Sequence, residues 1–196
     1  MAVYWDNKKF LDESSRTMPQ LDILPGASLP QDLQAIIEAA PIANLDGSPR
    51  DPDTVAAIQR AMQSSNLAGT LIESALWLLA GDLERSHTIS QQYDSREGSY
   101  WHGIMHRREG DYSNAKYWFR RVGDHPVLSR LRQQIQSHLS EFEGRGVPVS
   151  DLLASDWLAG ELVDQCQSAV RHGDLQQPDL QRITWWEWQL LLEHCI

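Results

Sequence analysis

Six consecutive segments between Asp53 and Phe142 have apolar residues spaced three and four apart, and each ends at a glycine or a polar break. Their sequences are TVAAIQRAMQSS, LAGTLIESALWLLAG, DLERSHTISQQ, REGSYWHGIMHRREG, DYSNAKYWFRRVG and HPVLSRLRQQIQSHLSEF. This spacing is typical of amphipathic helices. Alternating Val/Ile/Thr runs and Asn-Gly hairpins, which indicate strands, are nearly absent. The sequence therefore predicts an all-α fold, an irregular helical bundle.

The flanking segments extend this helical pattern. A short helix is predicted over QDLQAIIEAA, which follows a proline suited to a first helical turn. Residues 41–53 and 143–151 are rich in proline and glycine and predict two loops. Helices are predicted near 152–172 and 179–195. The second of these is apolar almost all the way round, which predicts a buried helix.

A chain of 196 residues is long enough to bury one hydrophobic core without stabilising disulfides or metal ions. We expect a single all-helical domain over residues 1–196. Its parts are an irregular N-terminal arm at 1–28, repeat-like hairpins at 66–126 and C-terminal helices at 152–196.

Cysteine content and hydropathy suggest a cellular location. Cys166 and Cys195 are the only cysteines, which is too few for a disulfide framework and typical of a reducing compartment. The first fifteen residues lack the apolar core of a signal peptide. The longest apolar run, SALWLLAG, is well below the roughly 18 residues that span a bilayer. We therefore expect a cytoplasmic protein with no membrane partner.

Basic residues are concentrated in one window of an acidic chain. The net charge of −10 argues against a nucleic-acid partner, since phosphate contacts need a basic face. Residues 101–132, however, contain seven Lys and Arg against three Asp and Glu, a net charge of +4. Such a window can attract a small anion or an acidic peptide. Alternatively, these side chains pair with the acidic helices around them, which is a purely structural or assembly role.

The sequence around Gly81-Asp82 is echoed 29 residues later at Gly110-Asp111. Small residues occupy equivalent places in the two units: Ser74 and Gly103 before the glycine, Ser86 and Ala115 after it. We expect each unit to be a helical hairpin. Its glycine ends the first helix in a left-handed conformation, and its aspartate caps the second helix.

This order of small, glycine and aromatic residues resembles the tetratricopeptide repeat. The matching residues of the second unit are Gly103, Gly110, Tyr112, Ala115 and Phe119, with Pro126 near the closing position. The resemblance covers residues 66–126, in two units spaced by 29 residues where the family has about 34. It implies stacked hairpins with a concave binding face. The stretch YWHGIMHRREGDYSNAKYWFRRVGDHP also resembles a family of uncharacterised bacterial proteins, which implies only a shared structural centre.

Core-facing positions are also predicted. On the helix expected over 97–109, Trp101, Ile104, Met105 and the stem of Arg108 share one face. The tryptophans Trp185, Trp186 and Trp188 lie beside leucines, which favours core packing over a surface that stacks a flat ligand.

Basic and aromatic residues around 101–125 are predicted to form a ligand groove. If Lys116 and Arg120 face His102 and His106 across the hairpin, the groove offers several cationic donors, and arginine binds carboxylate or phosphate in bidentate fashion. The candidate ligand-binding residues are Trp101, His102, His106, Arg107, Lys116, Arg120 and His125. The first hypothesis is therefore a non-catalytic, helical-repeat-like protein that binds a small anion or an acidic peptide.

The alternative hypothesis is a metal-dependent, hydrolase-like enzyme. His102, His106 and Glu109 are spaced i, i+4 and i+7 on one helix, so they can bind one divalent metal ion, with His87 or His125 as a fourth ligand. A bound metal would acidify a water for hydrolysis. A glycine stands where the metalloprotease helix has glutamate, and the GxxxxGK[ST], GxGxxG and GxSxG motifs are absent. Beyond this possible metal, we expect no cofactor.

Overall fold

The computed structural model describes residues 29–142 and 147–196, so the arm predicted at 1–28 lies outside the described residues. Within those two ranges the chain forms eleven helices and no strand, which confirms the all-α class. The helices are α1 (Gln31–Ala39), α2 (Pro52–Ser64), α3 (Leu71–Leu79), α4 (Leu83–Ser90), α5 (Arg96–Glu109), α6 (Tyr112–Val122), α7 (Pro126–Ser137), α8 (Leu139–Phe142), α9 (Val149–Ala154), α10 (Leu158–Arg171) and α11 (Pro178–Cys195). In this part of the chain none of them is both long and apolar enough to cross a bilayer.

Two helices are largely enclosed by the others. α5 is buried without interruption over residues 98–107 and packs against α3, α4, α6 and α10. α11 packs against α3 and α7, and it buries Trp185, Trp186 and Trp188 in the core. The prediction of a buried last helix with core tryptophans is confirmed.

The Gly-Asp pairs join α3 to α4 and α5 to α6. Gly81 and Gly110 adopt left-handed backbone conformations, with φ of 73° and 91°. The carboxylates of Asp82 and Asp111 each accept a hydrogen bond from the backbone N–H three residues further on, which caps the second helix. The predicted turns and caps are confirmed, whereas tetratricopeptide-like stacking of the two pairs stays a prediction.

Small residues bring the paired helices close together. The hydroxyl of Ser74 lies 2.9 Å from that of Ser86 and donates to the Ser86 carbonyl at 3.0 Å. In the second pair, Gly103 faces the ring of Phe119, where an added Cβ would lie 3.2 Å from two ring carbons. A larger residue at Gly103 would therefore push α6 away from α5.

The helix predicted near 152–172 is wrong as a single element. α9 ends at Ala154 and α10 begins at Leu158, with an extended Ser155 between them (φ −71°, ψ 133°). The hydroxyl of Ser155 accepts a hydrogen bond from the N–H of Trp157 at 3.1 Å, and Arg132 donates to the Ser155 carbonyl at 2.7 Å. These bonds satisfy the backbone at the break and compete with a continuous helix.

Candidate functional site

The basic side chains predicted to form the groove are turned toward separate neighbours. Lys116 Nζ lies 2.6 Å from both carboxylate oxygens of Asp164 in α10. The guanidinium carbon of Arg120 lies 5.0 Å from the ring centroid of Trp157, just before α10. His102, in contrast, contacts histidines of α4 and α5. The structure thus turns Lys116 and Arg120 toward α10 and does not group them with the histidines.

Arg107 is a core residue. Its Nη2 donates a hydrogen bond to Oε2 of Glu187 in α11, and the Tyr100 hydroxyl donates to Oε1 of the same carboxylate at 3.2 Å. Both charged side chains are at most 2% exposed. Burial acts to lower the pKa of Arg107, but the Glu187 carboxylate raises it above its ordinary value. This buried ion pair joins α5 to α11.

Trp101 and His125 also occupy packed positions. Trp101 is fully buried, and its ring lies 6.3 Å from that of Trp188 in an edge-to-face arrangement. His125 is buried just before α7, where its Nδ1 accepts a hydrogen bond from the Val127 N–H at 3.3 Å and caps the helix. Both side chains stabilise the junction of α5, α7 and α11.

A small cleft, partly open to solvent, lies between residues 42–45 and helices α5, α10 and α11. The loop is fixed there because the Leu45 N–H donates to the Leu175 carbonyl at 2.9 Å and the Gln181 amide donates to the Ala43 carbonyl at 3.1 Å. The lining residues include Leu45, Ile104, Trp185, Trp188 and the two arginines Arg107 and Arg108. We call this site the arginine cleft.

Several buried donors on residues that line the arginine cleft have no hydrogen-bond partner in the described ranges. Among residues 29–142 and 147–196, four such atoms have no hydrogen-bond partner: Nη1 of Arg107, Nε and Nη2 of Arg108, and Nε1 of Trp185. Buried N–H groups in native proteins are nearly always satisfied by protein, water or a bound ion. These donors are therefore candidates for hydrogen bonds to water or to the acceptor atoms of a ligand.

The charge of Arg108 is compensated only in part, by the nearby carboxylate of Asp46, which acts to raise the pKa of the guanidinium. Nη1 of Arg108 donates to the Leu78 carbonyl at the C-terminal end of α3, a neutral partner. Burial, and then the positive charge of Arg107, lower the pKa of Arg108 to about 10, so the group remains protonated at neutral pH. The cleft thus combines positive charge, unused donors and apolar walls, which is a suitable environment for an organic anion.

Three histidines of α4 and α5 form a second polar group, which we call the histidine cluster (His87, His102 and His106). The ring centroid of His102 lies 4.6 Å from that of His87 and 4.7 Å from that of His106. His102 and His106 are buried, and His87 is half-buried. The predicted pair is thus brought together, with His87 as its third member, while Glu109 lies 2.9 Å from Nδ1 of His106.

Burial keeps the imidazoles of His102 and His106 neutral near pH 7. Burial, together with the neighbouring imidazoles of His106 and His87, lowers the pKa of His102 to about 4. It also lowers the pKa of His106, against the opposing hydrogen bond and charge of Glu109. Neutral imidazoles offer a lone pair, which is the form that binds metal ions.

We expect acid to destabilise the fold as the pH falls from about 6.5 to about 4. Unfolded His102 takes up its proton near pH 6.5 and folded His102 near pH 4, so the unfolded state binds more protons between these values. The contribution of His102, fully present above pH 6.5, is roughly 3 kcal/mol. Denaturant unfolding across this range should show a shallower decline for His102→Gln than for the wild type. Parallel declines would contradict the assignment.

The sequence pattern indicates only part of these two sites. It places the stem of Arg108 in the core but not its guanidinium in a cleft, and it offers His87 only as an additional ligand. The charge of Arg108 was the one feature that could have indicated this site, because an arginine on a core-facing position of a buried helix rarely lies there without a partner.

Comparisons of this chain with protein-family models, with curated proteins and with solved structures found no match. Function is therefore inferred from the chemistry of the arginine cleft and the histidine cluster.

Proposed function

We propose that the chain is a non-catalytic binding protein for a small organic anion, which is held in the arginine cleft by Arg108. The observation that carries this proposal is that Nε and Nη2 of Arg108 are buried without a partner in the described ranges. These two N–H groups form one edge of the planar guanidinium, the edge that pairs with both oxygens of a carboxylate or phosphate. A bound anion would satisfy the donors and offset the buried charge.

The walls of the cleft favour a ligand with an apolar body. Leu45, Ile104, Trp185 and Trp188 line the same cleft as the two arginines, so an aliphatic or aromatic body can pack there while the acidic group meets arginine. Of the two predicted ligand classes, this enclosure favours the small anion. An extended acidic peptide would need the exposed lysine and arginine residues, and Lys116 is already paired with Asp164.

The ionisable groups of the cleft favour binding over catalysis. Cys166 lines the cleft, but burial raises the pKa of its thiol to about 11, so it stays protonated and is a poor nucleophile. The arginines also stay protonated and do not exchange protons near pH 7. Cys166 and Cys195 are free thiols, which suits the reducing cytoplasm as the location.

The proposal is tested by calorimetric titration of the chain with benzoate, hexanoate, phenyl phosphate and inorganic phosphate, and with benzyl alcohol as the uncharged probe. We expect the organic anions to bind and the alcohol not to bind. Arg108→Met should weaken binding at least tenfold, because a hydrogen bond to a charged group contributes about 1.5–3 kcal/mol. Arg108→Lys keeps the charge but loses the paired N–H edge, so it should weaken binding as well.

Two variants outside the cleft serve as matched controls. Lys116→Ala and Arg120→Ala each remove a basic side chain from the same charged window but leave the cleft intact, so they should bind the organic anions as the wild type does. If Arg108→Met fails to fold, Trp185→Phe removes a single N–H donor and should weaken binding instead. Absence of binding by every anion, or wild-type affinity in Arg108→Lys, would overturn the proposal.

A further inference from the structure

The histidine cluster brings three imidazole ligands of two helices to one place. One ligand atom from each of His87, His102 and His106 lies within 4.8 Å of the other two. Zinc–imidazole bonds of about 2.0–2.1 Å place the nitrogens of a tetrahedral site about 3.4 Å apart. Ring movements of about 1 Å would therefore complete a three-histidine site.

A second observation points to a ligand in this cluster. His102 is only 3% exposed. Its Nδ1 is buried and has no hydrogen-bond partner within the described ranges. The ring is held in place by stacking on Trp118, with centroids 4.1 Å apart and an interplanar angle of 23°. A buried, fixed and neutral imidazole with an unused nitrogen is prepared for a bond that the protein itself does not supply.

Glu109 orients one of the ligands. Its carboxylate lies 2.9 Å from Nδ1 of His106, so Nδ1 donates a hydrogen bond to it and Nε2 keeps its lone pair. A carboxylate behind a histidine is the usual outer support of a metal ligand, since it fixes the tautomer and the ring orientation. Nε2 accepts a hydrogen bond from the Asn114 amide at 3.0 Å, which a metal ion would replace.

A second group that could hold a metal consists of Glu97, His125 and His194. It differs from the histidine cluster in which ring nitrogen carries the proton. Nδ1 of His125 accepts a hydrogen bond from the Val127 N–H, so the proton of the neutral ring is on Nε2, the atom 3.5 Å from Glu97. That nitrogen donates to the carboxylate and has no lone pair for a metal. The same reasoning leaves a lone pair on Nε2 of His106, which favours the histidine cluster.

We propose that His87, His102 and His106 bind one divalent transition-metal ion of the zinc type, with Glu109 as the residue that orients His106. Three imidazoles suit zinc, copper and nickel better than magnesium or calcium, which prefer oxygen ligands. His87 belongs to α4 and the other two ligands to α5, so the ion joins the first helical pair to the second. Three protein ligands leave one position for a water molecule.

The test uses full-length protein without a histidine tag, stripped of metal by a chelator and then titrated with Zn²⁺ by calorimetry. We expect one equivalent to bind and the melting temperature to rise by several degrees, because a ligand that binds only the folded state stabilises it. Co²⁺ in place of Zn²⁺ should give the visible absorption of a nitrogen-ligated ion. His87→Ala should weaken binding at least a hundredfold and abolish the rise in melting temperature.

Variants that leave all three ligands in place separate a metal site from a packing effect. Glu109→Gln should weaken Zn²⁺ binding about 10–100-fold, as expected for an outer partner of a ligand. Asn114→Ala removes the amide that competes for Nε2 of His106, so it should bind as tightly as the wild type or more tightly. His138→Ala and His172→Ala, at histidines outside the cluster, should leave binding unchanged. Less than one equivalent bound by the wild type, or equal affinity in His87→Ala, would overturn the proposal.

Discussion

Glu187→Ala is expected to lower the free energy of unfolding by about 3–5 kcal/mol. The substitution leaves the guanidinium of Arg107 in the core without its counter-ion and removes the acceptor of the Tyr100 hydroxyl. A buried charge without a partner is among the most destabilising changes that a single substitution can make. Guanidinium chloride unfolding monitored by circular dichroism measures the loss.

Two controls show whether the loss comes from the buried charge. The half-exposed pair of Arg130 and Glu193 joins α7 to the same helix α11, but solvent screens it, so Glu193→Ala should change stability by at most about 1 kcal/mol. The double variant Arg107→Met with Glu187→Leu removes both charges and should recover much of the lost stability. A loss below about 1 kcal/mol for Glu187→Ala would show that this pair is solvated.

Gly81→Ala is expected to lower the free energy of unfolding by about 3 kcal/mol, whereas Gly110→Ala should cost about 1 kcal/mol. Both glycines end the first helix of a pair in the left-handed conformation, which disfavours any residue with a Cβ. Their surroundings differ. A Cβ at Gly81 would lie 2.9 Å from the Pro49 carbonyl oxygen and 3.0 Å from Arg50 Cα, both backbone atoms of the preceding loop.

Gly110 provides the matched comparison for Gly81. An added Cβ there meets no atom within 4 Å in the ranges that the structure describes, so only the backbone conformation opposes alanine. Thermal unfolding of both variants measures the difference, with about 2–4 °C expected for each kcal/mol in a chain of this size. Equal losses in the two variants would mean that the loop before α2 does not contact the Gly81 turn in solution.

The helices and their ends could be predicted from the sequence because their causes are local. Apolar residues spaced three and four positions apart identified the helical segments, and the Gly-Asp pairs identified two turns with their caps. The segment predicted for α3 began at Leu67, whereas the helix begins at Leu71. Thr70 and Glu73 contain the capping pattern that marks this start. The Glu73 N–H donates to the Thr70 hydroxyl, and the Glu73 carboxylate accepts from the Gly69 N–H at 2.6 Å, a capping box shifted by one residue.

The site depends on contacts between distant parts of the chain, which periodicity does not determine. A helical wheel groups Lys116 with Arg120 but does not show that α10 lies beside them and supplies Asp164. It likewise does not show that Glu187, 80 residues further on, neutralises Arg107 inside the core. The spacing of His102 and His106 did predict their proximity, because that contact is made within one helix.

A crystal structure of the chain grown with the tightest-binding organic anion tests the central claim most directly, which is that the free edge of Arg108 binds an acid. We expect density for the anion in the arginine cleft, with its oxygens within about 3.2 Å of Nε and Nη2 of Arg108 and its body against Trp185 and Trp188. Water alone at those donors, or a carboxylate from the chain's own first 28 residues in that position, would contradict it.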